Sequence, residues 1–441
     1  MESFEGAELT FLGFPPLNFL RDSNSKLRAS QVARLPIAPH RSTMPARPRI
    51  PRSVWLLGFV SLLMDTSSEM IHSLLPVFMV STLGMSALGV GFIEGLAEAT
   101  ALIVKVFSGT LSDYLGKRKT LTVVGYGLGA ITKPVFALAN GVGWILTARV
   151  VDRIGKGIRG APRDALVADL TAPEIRGAAY GLRQSLDTIG AFAGPILALA
   201  LMVLWSNDFR AVFWIAVIPA VLATALLLVG VKEPARPRAP AAVRKFRWRS
   251  LREFSPDFWW LAGLGGLFTL ARFSEAFLVL RGQQSGLPVA LAPLVLIVMN
   301  LAYSASAYPI GKLADTFSRP KLLIIGLLAL FTSDLLLAFS LNRIWFFVGI
   351  AVWGLHLGLT QGVLAAMVAD SSPEHLRGSA FGFFNLISGV ALLIASVLAG
   401  WIWDRFGAPW TFGVGAGFCV LVLILLGARS SMSVGSSRAG I

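Results

Sequence analysis

The sequence predicts an all-α membrane protein, with twelve transmembrane helices in two six-helix halves. Three observations carry the prediction. The 441 residues are 55% hydrophobic and only 14% charged, with a mean hydropathy of +0.70. Apolar runs of about 20 residues, each enough to cross a bilayer, recur along almost the whole chain. One such run can be a buried core helix; a long succession of them cannot be a soluble core. Finally, the chain repeats itself. ALVADLTAPEIRGAAYG, from Ala165, returns as AMVADSSPEHLRGSAFG from Ala366, and GTLSDYLGKRK, from Gly109, returns as GKLADTFSRPK from Gly311. A parallel six-plus-six duplication follows, a plan in which a substrate site lies between the halves.

Taken in order, the spans run about 54–80, 88–111, 119–139, 142–163, 177–204 and 209–231, then 255–280, 288–312, 320–340, 344–368, 377–402 and 407–429. The domains are a first half, 54–231, a linker, 232–253, a second half, 254–430, and a tail, 431–441. Residues 1–53 hold prolines and scattered arginines and lack a signal peptide's continuous apolar core. They read as a disordered basic tail, and Met44, followed by PARPRIPRSVW, is an alternative start. The linker carries Lys232, Arg236, Arg238, Arg244, Lys245, Arg247, Arg249 and Arg252 against Glu233 and Glu253. The loop after span two holds Lys117, Arg118 and Lys119, while STLGMSA and ANGVG, after spans one and three, have no charge. The positive-inside rule puts the basic loops and both termini in the cytoplasm, in the plasma (inner) membrane.

Net charge is +15, but its confinement to particular loops fits a bilayer and argues against nucleic acid. Cys419 is the one cysteine, so no intrachain disulfide can form. The histidines are scattered without metal-ligand spacing, so no metal is expected. There is no phosphate-binding G-x-x-x-x-G-K-S/T loop and no recognisable nucleophile, base and orienting residue. The chain is read as no enzyme, with no cofactor.

Charges inside spans are costly and so point to chemistry. Asp65 and Glu69 lie mid-span at i, i+4, on one face. Two nearby carboxylates resist ionising together, which suits proton coupling; alternatively, either pairs with Arg149 or Arg153. Glu94 and Glu98 repeat the spacing and read as structural ion pairs, with Lys105 on the same stripe. Arg183 and Asp187 read as satisfying each other or the span-four arginines. Arg272 and Glu275 are i, i+3 neighbours in span seven. His356 in span ten is a titratable candidate or a packed, satisfied histidine. Phe273 and Trp353 read first as lipid or core packing and second as cavity lining. Asp334 has no evident partner.

Span five reads GLRQSLDTIGAFAGPILA from Gly181. Gly190 and Gly194 form a G-x-x-x-G ridge that lets another helix approach closely, and Pro195 removes a backbone hydrogen bond and can bend the helix.

These motifs carry a resemblance. Gly109, Leu111, Asp113, Gly116, Lys117, Arg118 and Leu121 stand in the places of the loop signature G-x-L-x-D-R-x-G-R-K-x-x-L of the major facilitator superfamily, with Tyr114 where that family usually has arginine. The second copy, with Asp315, has Ser318 and Pro320 in place of the Gly and Arg. Gly181, Gly190, Gly194 and Pro195 stand in register with the family's antiporter signature, although Ala198 and Leu199 replace its last two glycines. In span four Arg149 and Gly157 match R-x-x-x-G-x-x-x-G, with Arg153 at the middle glycine. Together with DTSSEM and IEGLAEAT, the chain resembles a bacterial and archaeal subgroup.

The resemblance implies a monomeric secondary transporter working by alternating access. Gly109, Asp113, Gly116, Lys117, Arg118 and Asp315 would latch the halves at the cytoplasmic side, and span five would mark exchange of substrate for protons. Asp65 and Glu69 would couple protons, and Arg149, Arg153, Arg272, Glu275 and His356 would line the substrate cavity. The expected partners are a small organic solute, protons and the lipid bilayer, with the proton gradient as energy source and efflux as the direction. Uptake of a nutrient or anionic metabolite on the arginines is the alternative; a non-transporting sensor is the remote one.

Overall fold

Helices account for the described chain almost from end to end: α1 Arg52–His72, α2 Leu75–Ser81, α3 Ala87–Leu115, α4 Arg118–Leu138, α5 Val142–Leu170, α6 Arg176–Leu204, α7 Phe209–Gly230, α8 Pro256–Ala271, α9 Ala276–Gln284, α10 Pro293–Leu313, α11 Arg319–Phe339, α12 Arg343–Asp370, α13 Arg377–Phe406 and α14 Ala408–Arg438. This computed structural model describes residues 50–115, 117–233, 253–314, 316–340, 342–373 and 376–438, with the backbone alone for Thr110, Asp113 and 429–438. The expected tail 1–49, most of the linker, Gly116 and Asp315 lie outside the described residues. Among the described residues there is no strand.

Eleven segments are long and apolar enough to cross a membrane. Polar residues start several of them. Asp208, Ser255 and Asn342 accept hydrogen bonds from Ala211 N, Phe258 N and Trp345 N, satisfying donors that a helix start leaves free. The outer surface carries large apolar side chains, among them Phe59, Ile131, Leu204, Val229 and Ile344. A soluble protein would not expose so many; a lipid-facing surface does. α5 is as long, with 29 residues, yet it is not among the eleven, because Arg149, Asp152, Arg153, Lys156 and Arg159 lie along it.

Two expected spans are interrupted. Span one splits at Ser73–Leu74, where Pro76 sits in the first turn of α2 and has no N–H to continue α1. Span seven, expected as one helix over 255–280, leaves helical geometry at Arg272 and resumes at Ala276. No proline or glycine marks this break. Backbone groups freed inside a membrane must find partners, and Ser274 supplies them. Its N–H donates to Ser396 Oγ of α13 at 3.2 Å, and its own Oγ accepts from Ala276 N at 3.3 Å.

α1 packs on α6, α4 on α5, α3 along α13, and α10 and α11 on α12. One end of the bundle holds Lys117, Arg118 and Lys119 and is called here the basic end. At the far end α2 meets α9. There Asp404 of α13 accepts from Ala87 N and Leu88 N at 3.0 and 2.9 Å, capping α3 across the line between the two groups of helices. The sequence repeat also has a shared structural use. Arg118 at the start of α4 pairs with Asp169 at the end of α5, 2.5 Å away, and Arg319 at the start of α11 pairs with Asp370 at the end of α12. Both aspartates belong to the A-x-V-A-D frame. The two arginines are displaced by one position in the aligned loops, so the pairing was hidden from a residue-by-residue match.

Candidate functional site: a charged cavity between the helix groups

Small residues let the site assemble. A Cβ on Gly194 would lie 2.6 Å from Thr66 O and 2.8 Å from Glu69 Cβ, and one on Gly190 would meet the backbone of Leu62. α6 therefore lies backbone to backbone on α1, beside the two carboxylates of that helix. Gly125 and Gly155 do the same between α4 and α5, where each added Cβ would lie within 2.7 Å of the other's carbonyl oxygen.

On this frame stands a lattice of buried ion pairs. Arg149 grips Glu94 through two bonds of 3.0 and 2.5 Å, a bidentate geometry only arginine offers. His72 lies between Glu69, at 3.4 Å, and Glu94, at 3.6 Å. Arg153 reaches Glu98 at 3.1 Å. Lys133 donates to Asp152 at 2.8 Å and to Ser68 at 3.0 Å. The pairing is forced: each ion alone in this environment would cost several kcal/mol.

The lattice borders a cavity of about 470 Å³ whose wall includes Asp65, Lys105, Lys156, Arg159, Arg163 and Asp187. Asp65 lies 3.8 Å from Arg159. Asp187 lies 3.6 Å from both Arg163 and Arg183. The carboxyl groups of Asp65 and Asp187 face each other within side-chain hydrogen-bonding reach. Arg159 also stacks over the Tyr126 ring at 4.7 Å, which fixes its position from behind. A second cavity of about 270 Å³ lies at the span-seven break, between Glu69, Glu98 and Lys156 on one side and Arg272, Glu275 and Trp353 on the other. Lys156 borders both cavities.

A family model, the Major Facilitator Superfamily, matches residues 57–299 and 276–436. The chain belongs to that superfamily. An uncharacterised MFS-type transporter of Methanocaldococcus jannaschii is 30% identical over 382 residues, covering 85% of this chain and 94% of that protein. The multidrug resistance protein MdtH of Photorhabdus laumondii is 25% identical over 358 residues, covering 79% of this chain and 86% of that one. Among solved structures, the nucleoside transporter NupG superposes with a TM-score of 0.70 at 13% identity, covering 86% of this chain and 99% of that one. At that identity the likeness concerns the fold.

Within this superfamily fold the predicted residues fall into distinct places. Asp65, Glu69, Arg153, Arg272 and Glu275 border the cavities. Arg149 does not; it is 3% exposed and spent on Glu94. His356 is also behind the wall, fully buried with its ring against Trp353, and neither ring nitrogen has a hydrogen-bond partner, so it is packed but not satisfied. Asp65 and Glu69 share a helix face, but the carboxyl that meets Asp65 is Asp187, while Glu69 goes to His72. Arg272 and Glu275 are not neighbours on a continuous helix, because the break runs between them. Phe273 and Trp353 are core residues and cavity lining at once.

Of the latch residues, Gly109 lies against Ala161 of α5, Lys117 is exposed before α4 and Arg118 makes the Asp169 pair. Gly116, Asp315 and the Asp113 side chain lie outside what is described. Gly181 is a correction: it is exposed and a Cβ there would meet nothing, so it packs no helix. Pro195 is buried inside an unbroken α6. Lys133 was missed by sequence reasoning, although a lone lysine in the apolar run AITKPVFAL was signal enough. Lys156 and Arg163 of α5 and Asp187 of α6 share a cavity wall with Asp65 of α1, a meeting of three helices that one sequence does not display.

Proposed function

We propose that this superfamily member exports a small organic solute in exchange for protons. It has twelve spans in two six-helix halves, sits in the plasma membrane with its basic end in the cytoplasm, and works as a monomer. α5 is the twelfth span, with Arg149, Asp152, Arg153, Arg159 and Arg163 each paired to α1, α3, α4 or α6. Closure of the far end by Asp404, with both cavities on the opposite side of that closure, supports an inward-facing state.

One observation carries the reading: the Asp65–Asp187 pair set between Arg159 and Arg163. With a proton between them, the two carboxyl groups hold α1 and α6 together and pull less on α5. Without it, each turns to its arginine and α5 is drawn in. A ligand drives a conformational change only through unequal affinity for the two states, and this arrangement gives the proton such a preference. Glu69, tied to His72, takes the lesser part in coupling. The export direction is supported by the span-five spacing and by the similarity to a multidrug resistance protein.

The test is proton movement in proteoliposomes holding a pH-sensitive dye, with lipophilic cations, organic anions and zwitterions added in turn under an imposed gradient. Asp65→Asn and Asp187→Asn should each abolish solute-triggered proton movement while gradient-free solute exchange persists. Proton movement at wild-type rates in both variants would sink the assignment.

A further inference from the structure

We infer that the transported solute is a small zwitterion, with an oxyanion and a protonated amine on one compact skeleton. The inference deepens the transport reading above and rests on it. It comes from what is left unpaired at the break in span seven.

Four of the seven ionisable groups around the smaller cavity have an ion partner on the protein: Glu69 pairs with His72, and Glu98 with Arg153. Three do not. Among the described residues Lys156, Arg272 and Glu275 have no ion-pair partner within 4.0 Å. Charges at membrane depth are expensive and go unpaired only where water or a ligand meets them. Two of these three are cations and the third is a carboxylate, and all border the same space. Arg272 leans on the Phe268 ring, 5.9 Å from its centroid, without a carboxylate to hold.

A fourth group points to the same chemistry independently. Trp353 is fully buried, its Nε1–H has no hydrogen-bond partner, and it borders this cavity. An indole N–H is a donor only, so it needs an acceptor, and an oxyanion has lone pairs to spare. α9 also begins at this cavity, directing the positive end of a half-helix towards it.

Other solute classes leave charges stranded. A lipophilic cation would enclose Arg272 and Lys156 without a counter-charge, and it would find few large apolar surfaces beyond Phe273, Trp353 and Leu392. A plain anion would answer the cations and leave Glu275 dry and unpaired. A zwitterion answers both, with its oxyanion on Arg272, Lys156 and the Trp353 N–H and its amine on Glu275. The volume of about 270 Å³ lies below the usual range of drug-sized pockets, which fits a compact solute.

The experiment is calorimetric titration of the purified full chain in nanodiscs, which needs no gradient. The probes are 4-aminobutyrate, 6-aminohexanoate, 3-aminopropylphosphonate, butyrate, butylamine and tetraphenylphosphonium. A zwitterion should bind at least about tenfold tighter than butyrate or butylamine, and the carboxylate and phosphonate arms name the oxyanion. Glu275→Gln should erase the advantage of the zwitterion over the plain acid, by roughly tenfold or more. Arg272→Gln should erase its advantage over the plain amine. A merely structural role for either residue would weaken all probes alike. Tetraphenylphosphonium binding in preference, equal binding of all probes, or silence from every zwitterion would overturn the inference. Zwitterion binding without proton movement in liposomes would remove the coupling reading alone.

Discussion

The helices before the linker and those after it carry buried polarity in opposite ways. In α1–α6, Glu94, Lys133, Arg149, Asp152 and Arg153 are each at most 4% exposed, and each has an ion partner. In α11 and α12, Asp334 and His356 are equally buried, and no atom of either side-chain head has a hydrogen-bond partner. The first group is a lattice in which moving one proton or one ion changes its neighbours. The second is a set of isolated polar groups in apolar packing. The coupling proposed above is assigned to the lattice, because only there does a change at one residue have somewhere to go.

The contrast can be broken by substitution, and the largest effect should come from the lattice. Arg149→Met leaves Glu94 only its longer contact with His72 and should cost about 3–5 kcal/mol, seen as loss of folded protein in fluorescence size-exclusion chromatography. The double change Glu94→Gln with Arg149→Met should recover most of it. Gly194→Val comes next. Its side chain would collide with the Thr66 carbonyl and should cost about 1–3 kcal/mol of stability by overpacking, with solute exchange falling too. Gly181→Val, where nothing is near, should leave both unchanged.

The sign should reverse in the second group. Asp334→Leu removes a buried carboxyl that no bond satisfies and should raise the melting temperature, by the equivalent of about 1–3 kcal/mol. A fall in stability would mean that the carboxyl has a use the lattice comparison does not capture. The smallest effect is expected for Arg319→Ala, which breaks an exposed pair with Asp370 worth about 0–1 kcal/mol, within reach of a careful thermal melt.

Much of the fold was legible because lipid imposes it: a run long enough to cross, flanked by charge, has few alternatives. The interruption of span one was also signalled, by Pro76. The break at Arg272–Glu275 was not, since it is held by Ser396 from a helix more than a hundred residues away. The candidate site was legible as residue types rather than as pairs. The i, i+4 spacing drew attention to Asp65 and Glu69, yet spacing within one helix cannot show that α6 brings Asp187 to Asp65. Arg149 looked like a substrate ligand because arginine in a span is rare. What it does depends on Glu94, and a single sequence does not place the two in contact.

Asp404 has a consequence for the protein at rest. Its two oxygens hold the first two amides of α3 from a helix on the other side of the molecule. Parting the far end breaks both bonds, so the ratio of facing conformers in the proposed transport cycle leans on this side chain before any solute arrives. A bias of about 1.4 kcal/mol is a tenfold change in such a ratio. On the orientation proposed above, a protein that waits open at its basic end meets cargo from the cytoplasm first, and the Asp404 carboxylate at the opposite face favours that posture.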